Sequence, residues 1–107
     1  MTTFDKREEG FEKKFALDSE QTFKAGARRN KLLGLWAAEK LGKSGDDAQA
    51  YAKEVIRSDM QEAGDEDVFR KVRGDFDAAS VQQSDHQIRR TMEELMAEAV
   101  AQIEAGN

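Results

Sequence analysis

No proline occurs anywhere in the 107 residues, and that absence constrains the fold more than any other feature of the chain. Proline both removes a backbone donor and clashes with the preceding helical turn, so it is the strongest local breaker of helices. Here only glycines and capping residues divide the sequence. Between them apolar residues recur at helical spacing, and strand-forming runs are missing. The pattern predicts an all-α four-helix bundle over residues 18–107, preceded by a distinct opening segment, residues 1–17.

The first helix is expected to start at Asp18 or Ser19, either of which can cap free N–H groups. It should end at Gly42, a residue suited to the left-handed position beyond a helix. Gly26 and Gly34 lie inside it and admit two readings, a loss of helix propensity or a close approach of another backbone. A second helix should begin at Ser44, carry Ala48, Tyr51, Ala52, Val55, Ile56 and Met60 on one face, and stop at Gly64. A third should be capped by Asp65 and bury Val68, Phe69, Val72 and Phe76. The fourth has the strongest start signal, because Ser84 and Gln87 stand in a capping-box relation. Its stripe is Ile88, Met92, Leu95, Met96, Ala99 and Ile103, closed by Gly106.

Composition removes several function classes. The chain has no cysteine, which excludes disulfides, thiolate metal sites and thiol nucleophiles. Its formal net charge of −5 argues against nucleic acid as the main partner. No apolar run approaches the ~20 residues that span a bilayer, and the charged start does not resemble a secretory signal. The expectation is a soluble, cytoplasmic protein without direct membrane insertion. His86 has no second histidine or cysteine to form a metal site with and reads as a surface residue. The carboxylates of "GDED" and "MEEL" sit where capping or solvation explains them. No nucleophile–base pair emerges from spacing, so the chain does not read as an enzyme, and no cofactor is required.

Two stretches point to binding. "ARRNK" gathers Arg28, Arg29 and Lys31, with Trp36 further along the same helix. Guanidinium groups can grip phosphate oxygens and an indole can stack on a base, so weak ATP or ADP binding is one reading. A solvated basic face beside a core tryptophan is the other. There is no glycine-rich phosphate loop to favour the first.

The second stretch is the opening "MTTFDKREEGFEKKFALD". On a helix of about 100° per residue, Phe11 and Phe15 each project within ~20° of Phe4. Lys6, Arg7, Lys13 and Lys14 balance Asp5, Glu8, Glu9 and Glu12. Gly10 weakens the middle of such a helix. Isolated helices of this length are marginal in water, so the free segment is expected to be largely disordered. Either its three rings fold back onto the bundle, or they anchor the segment in a groove of another protein as it becomes helical.

The blocks "TTFDKREEGFEKKFALDSE", "FKAGARRNKLLGLWAAEKLG", "DDAQAYAKEVI" and "EAGDEDVFRKVRGDFDAA" resemble the zeta subunit of the alphaproteobacterial F-type ATP synthase, an ATPase inhibitor family. The likeness runs nearly end to end; "ARRNKLLGLWAAE" and "AGDEDVFRK" are its most distinctive parts, and "IRRTMEELMAEA" fits more loosely. The resemblance implies a four-helix bundle whose mobile N-terminal region inhibits ATP hydrolysis. That region would enter the interface between the alpha and beta subunits of the F1 sector, touch the gamma shaft, become helical and block rotation. Carried onto this sequence, the region is Met1 to Leu17, with Phe4, Phe11 and Phe15 as anchors and Arg7, Lys13 and Lys14 at the rim. The same resemblance implies a location peripheral to the inner membrane, through F1. A helical adaptor and a small nucleotide sensor remain as rival functions.

Overall fold

A computed structural model describes residues 18–59 and 65–106. The expectations for Met60, Gly64 and the opening segment 1–17 lie outside the described residues. Four helices follow in order: α1 Ser19–Lys40, α2 Gly45–Ser58, α3 Glu66–Ala78 and α4 Asp85–Glu104. No strand occurs among the described residues, so the all-α expectation holds.

The ends of α1 are set by local chemistry. Asp18, not Ser19, is the cap: its carboxylate accepts from the Gln21 N–H at 2.7 Å, while the Gln21 side chain accepts from the Asp18 N–H at 3.3 Å. At the other end Gly42 adopts φ +78°, as expected. The turn is closed by Gly42 N–H to Glu39 C=O at 3.1 Å and Lys43 N–H to Ala38 C=O at 2.8 Å. This double closure satisfies carbonyls that the helix itself leaves free.

Ser44 holds the cap position of α2, yet its side chain makes no capping bond. Its carbonyl instead receives the Asp47 and Ala48 N–H groups, and Asp46 and Asp47 complement the helix dipole. Asp65 likewise stands before α3 without capping it, because its carboxylate is engaged by Arg29. The stop of α3 carries no glycine. Ser80 takes the left-handed turn at φ +58°, and Ser80 N–H to Asp77 C=O with Val81 N–H to Phe76 C=O reproduces the closure seen after α1. The capping box of α4 forms as expected, with Gln87 N–H to Ser84 Oγ at 3.1 Å and Ser84 N–H to Gln87 Oε1 at 2.8 Å.

Helix α1 packs most extensively against α2 and next against α4, while α3 bridges α2 and α4. The core gathers Leu33, Ala37 and Ala38 from α1, Tyr51 and Val55 from α2, Val68, Phe69, Val72 and Phe76 from α3, and Ile88 and Met92 from α4. Each set repeats at the three- and four-residue spacing that forms one helix face. Trp36 is half-buried and packs against Phe76 with ring centroids 5.6 Å apart. On α4, Leu95, Met96 and Ile103 are half-buried, whereas Ile88, Met92 and Ala99 are fully covered. His86 is exposed, as expected.

The two glycines inside α1 separate cleanly. An added Cβ at Gly34 would lie 2.6 Å from the Cα of Ala52, whereas one at Gly26 would meet nothing within 4 Å. Gly34 is the crossing point at which α1 and α2 approach backbone to backbone.

Candidate partner-binding surface

Phe4, Arg7, Phe11, Lys13, Lys14 and Phe15, the anchors and rim groups of the opening segment, lie outside the described residues. What the structure describes is the base from which that segment departs, the first turns of α1 and their neighbours.

The basic cluster is dispersed by helix rotation. Adjacent residues on a helix point about 100° apart, so closeness in sequence does not make one surface. Arg29 turns inward and is 2% exposed. Its Nε donates to Asn30 Oδ1 at 2.7 Å and its Nη2 to Asp65 Oδ1 at 2.9 Å. Arg28 reaches across to α4, donating to Gln102 Oε1 at 2.6 Å, and shares a surface depression with exposed Lys31. Trp36 lies elsewhere, against Phe76. The structure therefore brings Arg28 and Lys31 together and sends Arg29 and Trp36 to separate places.

Asn30, the next residue of the same string, completes a buried clasp that its polar type alone does not announce. It is 1% exposed and donates Nδ2 to Asp59 Oδ2 at 2.9 Å. Arg29 and Asn30 thus hold Asp59, which ends α2, and Asp65, which precedes α3. Both polar side chains are satisfied, as burial demands. The available signal was a polar residue placed three and four positions before Leu33 and Gly34, on the face of α1 that faces the core.

Phe23 was missed in the opposite sense. A phenylalanine within an amphipathic helix is ordinarily core, yet Phe23 is 77% exposed. Depressions lie on either side of it. One, of about 630 Å³, is lined by Phe23, Ala27, Ile56 and Ile103, with Lys24, Arg28 and Lys31 at its edge. The other, of about 230 Å³, is shaped by Thr22, Gly26, Asn30 and Asp59 together with Phe23, Ala27 and Ile56. No group of three or more carboxylate or imidazole ligands placed to hold a metal ion exists among the described residues.

Between the middle of α2 and α3 a polar network has a consequence for alkaline stability. The Tyr51 hydroxyl donates to Asp75 Oδ2 at 2.7 Å, and Lys71 Nζ lies 2.8 Å from Glu54 and 3.0 Å from Asp75. Burial, then the hydrogen bond to Asp75, then the negative charges of Asp75 and Glu54 raise the Tyr51 pKa well above its ordinary value of 10.0. Burial lowers that of Lys71, but the hydrogen bonds to Glu54 and Asp75 outweigh it and the net shift is upward. A group whose folded-state pKa is raised holds its proton more tightly when folded. Its stabilisation is complete below the unfolded value and is lost as pH climbs towards the folded value. The wild-type protein should therefore lose stability progressively above about pH 10. Tyr51→Phe should cost about 1 kcal/mol at pH 7 but show a shallower alkaline decline, measured by urea unfolding between pH 7 and 11. Parallel curves for the two proteins would rule this account out.

The described body is a small all-helical bundle whose most conspicuous surface feature is an apolar, base-edged depression at one end. The chain belongs to the ATPase inhibitor subunit zeta family, whose model matches residues 1–102. It is thus a member of a regulatory rather than catalytic family, one defined by action on an ATPase. A solution NMR structure is similar, at 55% sequence identity with a TM-score of 0.70, covering 79% of this chain and 96% of that one. No curated protein matches the sequence. No helix among the described residues is long and apolar enough to cross a membrane.

Proposed function

We propose that the protein inhibits ATP hydrolysis by the F1 sector of ATP synthase, with residues 1–17 as the inhibitory element and residues 18–107 as the docking body. The segment enters the interface between the alpha and beta subunits as a helix and lies against the gamma shaft. Phe4, Phe11 and Phe15 fill apolar pockets there, and Arg7, Lys13 and Lys14 meet carboxylates at the rim. Rotation in the hydrolytic direction draws the wedge in, and the opposite rotation expels it. The protein itself catalyses nothing and acts as a soluble subunit on the F1 side of the membrane.

One observation carries the reading: the family match begins at residue 1 and so includes the aromatic segment. Three rings on one face of a charged 17-residue stretch supply too little burial to order it alone, and a pocket on a partner makes up the difference. Because α1 already carries a capping box at Asp18, removal of the preceding residues leaves its start intact.

The test is ATP hydrolysis by isolated F1 with added full-length protein, with the 18–107 fragment, and with the variant carrying Phe4→Ala, Phe11→Ala and Phe15→Ala. Only the full-length wild type should suppress turnover. The fragment should keep its helical circular dichroism while losing inhibition. Equal inhibition by the fragment would overturn the proposal.

A further inference from the structure

We propose that Phe23 and the base-edged groove beside it form a second anchor for the same ATP-synthase partner, on the body of the protein rather than on its leading segment. The inference rests on the inhibitory reading above and extends it to described residues. Among the described residues Phe23 is the large apolar side chain left exposed. It stands over Ala27 of α1, Ile56 of α2 and Ile103 of α4, so three helices contribute apolar surface at one place. A groove of this kind accepts one or two apolar side chains of a protein partner.

Charge selects the occupant. Although the chain is net acidic, the rim of this groove carries Lys24, Arg28 and Lys31. Lys24 pairs with Glu20 at 3.2 Å, but both side chains are more than half exposed, and such a pair yields readily to a better-placed partner. The matching surface is an apolar patch bordered by carboxylates.

Asp18 caps α1 with extended backbone at ψ 175°, so Phe23 belongs to the body and offers the partner a surface separate from that of the leading rings.

The experiment measures affinity for isolated F1 using the full chain, as wild type, Phe23→Glu and Lys31→Glu. Phe23→Glu should weaken binding by roughly tenfold or more, and inhibition with it. Lys31→Glu should weaken it several-fold and flatten its salt dependence. Because both side chains are exposed, helical content and melting temperature should match wild type. Unchanged F1 affinity in Phe23→Glu, with wild-type inhibition intact, would overturn the second anchor and leave the inhibitory reading standing. A wild-type protein that neither binds nor inhibits F1 would overturn both. Two further results would reassign the groove: a wild-type dimer that Phe23→Glu dissociates, meaning a second copy occupies it, or faster amide exchange at residues 4–15 of free Phe23→Glu, meaning the chain's own segment does.

Discussion

Phe76→Ala lowers the unfolding free energy by about 3–5 kcal/mol, the range for removing a fully buried aromatic ring. Phe76 has no exposed surface and is the largest fully buried side chain among the described residues. Helix α3 joins the body through Val68, Phe69, Val72 and Phe76, and the last of these packs on Trp36 of α1. Deleting the ring therefore removes transfer energy and opens a cavity at the junction of helices. Little can move to fill it, because Leu33, Val55 and Ile88 are themselves fully buried. Domains of this size are stable by only about 5–15 kcal/mol, so the loss is a large share of the whole.

Trp36 supplies the readout, since its fluorescence reports on the ring that is lost. Urea unfolding should show a lower midpoint with an unchanged slope, and Phe76→Leu, which keeps most of the volume, should lose under about 1.5 kcal/mol. A loss below that value for Phe76→Ala would mean that the site collapses and that α3 is held by other contacts. At temperatures where the variant remains folded, its inhibition of ATP hydrolysis should be unaffected, because the proposed inhibitory element lies before α1.

Features set by neighbours in sequence were legible beforehand. The Ser84–Gln87 box spans one helical turn, so two residue identities suffice to specify both hydrogen bonds. Gly42 could be read as the end of α1 for the same reason. The face containing Val68, Phe69, Val72 and Phe76 follows from spacing alone, and all four are buried.

Features set by distant residues were not legible. Asp65 is a good capping residue by type, yet a buried guanidinium 36 positions earlier claims its carboxylate. Ser80 occupies a left-handed position where glycine would be expected, and its type gives no warning of that. The compact "ARRNK" string suggests a single basic site, but helix rotation sends its first two arginines to opposite environments, one to the core and one to the groove edge. Phe23 is the same failure seen from the other side. Its residue type argues for the core, and only the positions of α2 and α4 reveal that nothing covers it among the described residues. Thus the scaffold was readable in local pattern, while the candidate surface depends on which faces three separate helices leave uncovered.

Gly34→Ala should destabilise the protein by about 1–3 kcal/mol, whereas Gly26→Ala, eight positions earlier on the same helix, should stabilise it by about 0.5–1 kcal/mol. Propensity alone predicts a gain at both sites, since alanine is favoured over glycine in a helix by about 1 kcal/mol. Tertiary contact reverses the sign at one of them. A methyl group at Gly34 would sit 2.6 Å from the Ala52 Cα and 3.0 Å from its Cβ. Neither atom can rotate aside, because one is backbone and the other is fixed to it. The two helices must separate instead, loosening the contact between Leu33, Ala37, Tyr51 and Val55 along the whole α1–α2 seam. At Gly26 the added methyl meets nothing within 4 Å and the propensity gain survives. Thermal unfolding separates the two cases, each kcal/mol moving the midpoint by about 4–8 °C in opposite directions. Adding Ala52→Gly to Gly34→Ala should recover little of the loss, because the Ala52 Cα, the nearer of the two atoms, stays in place. If Gly34→Ala proves as stable as the wild type, α1 and α2 do not meet backbone to backbone, and the placement of the groove between Phe23 and Ile56 falls with that crossing.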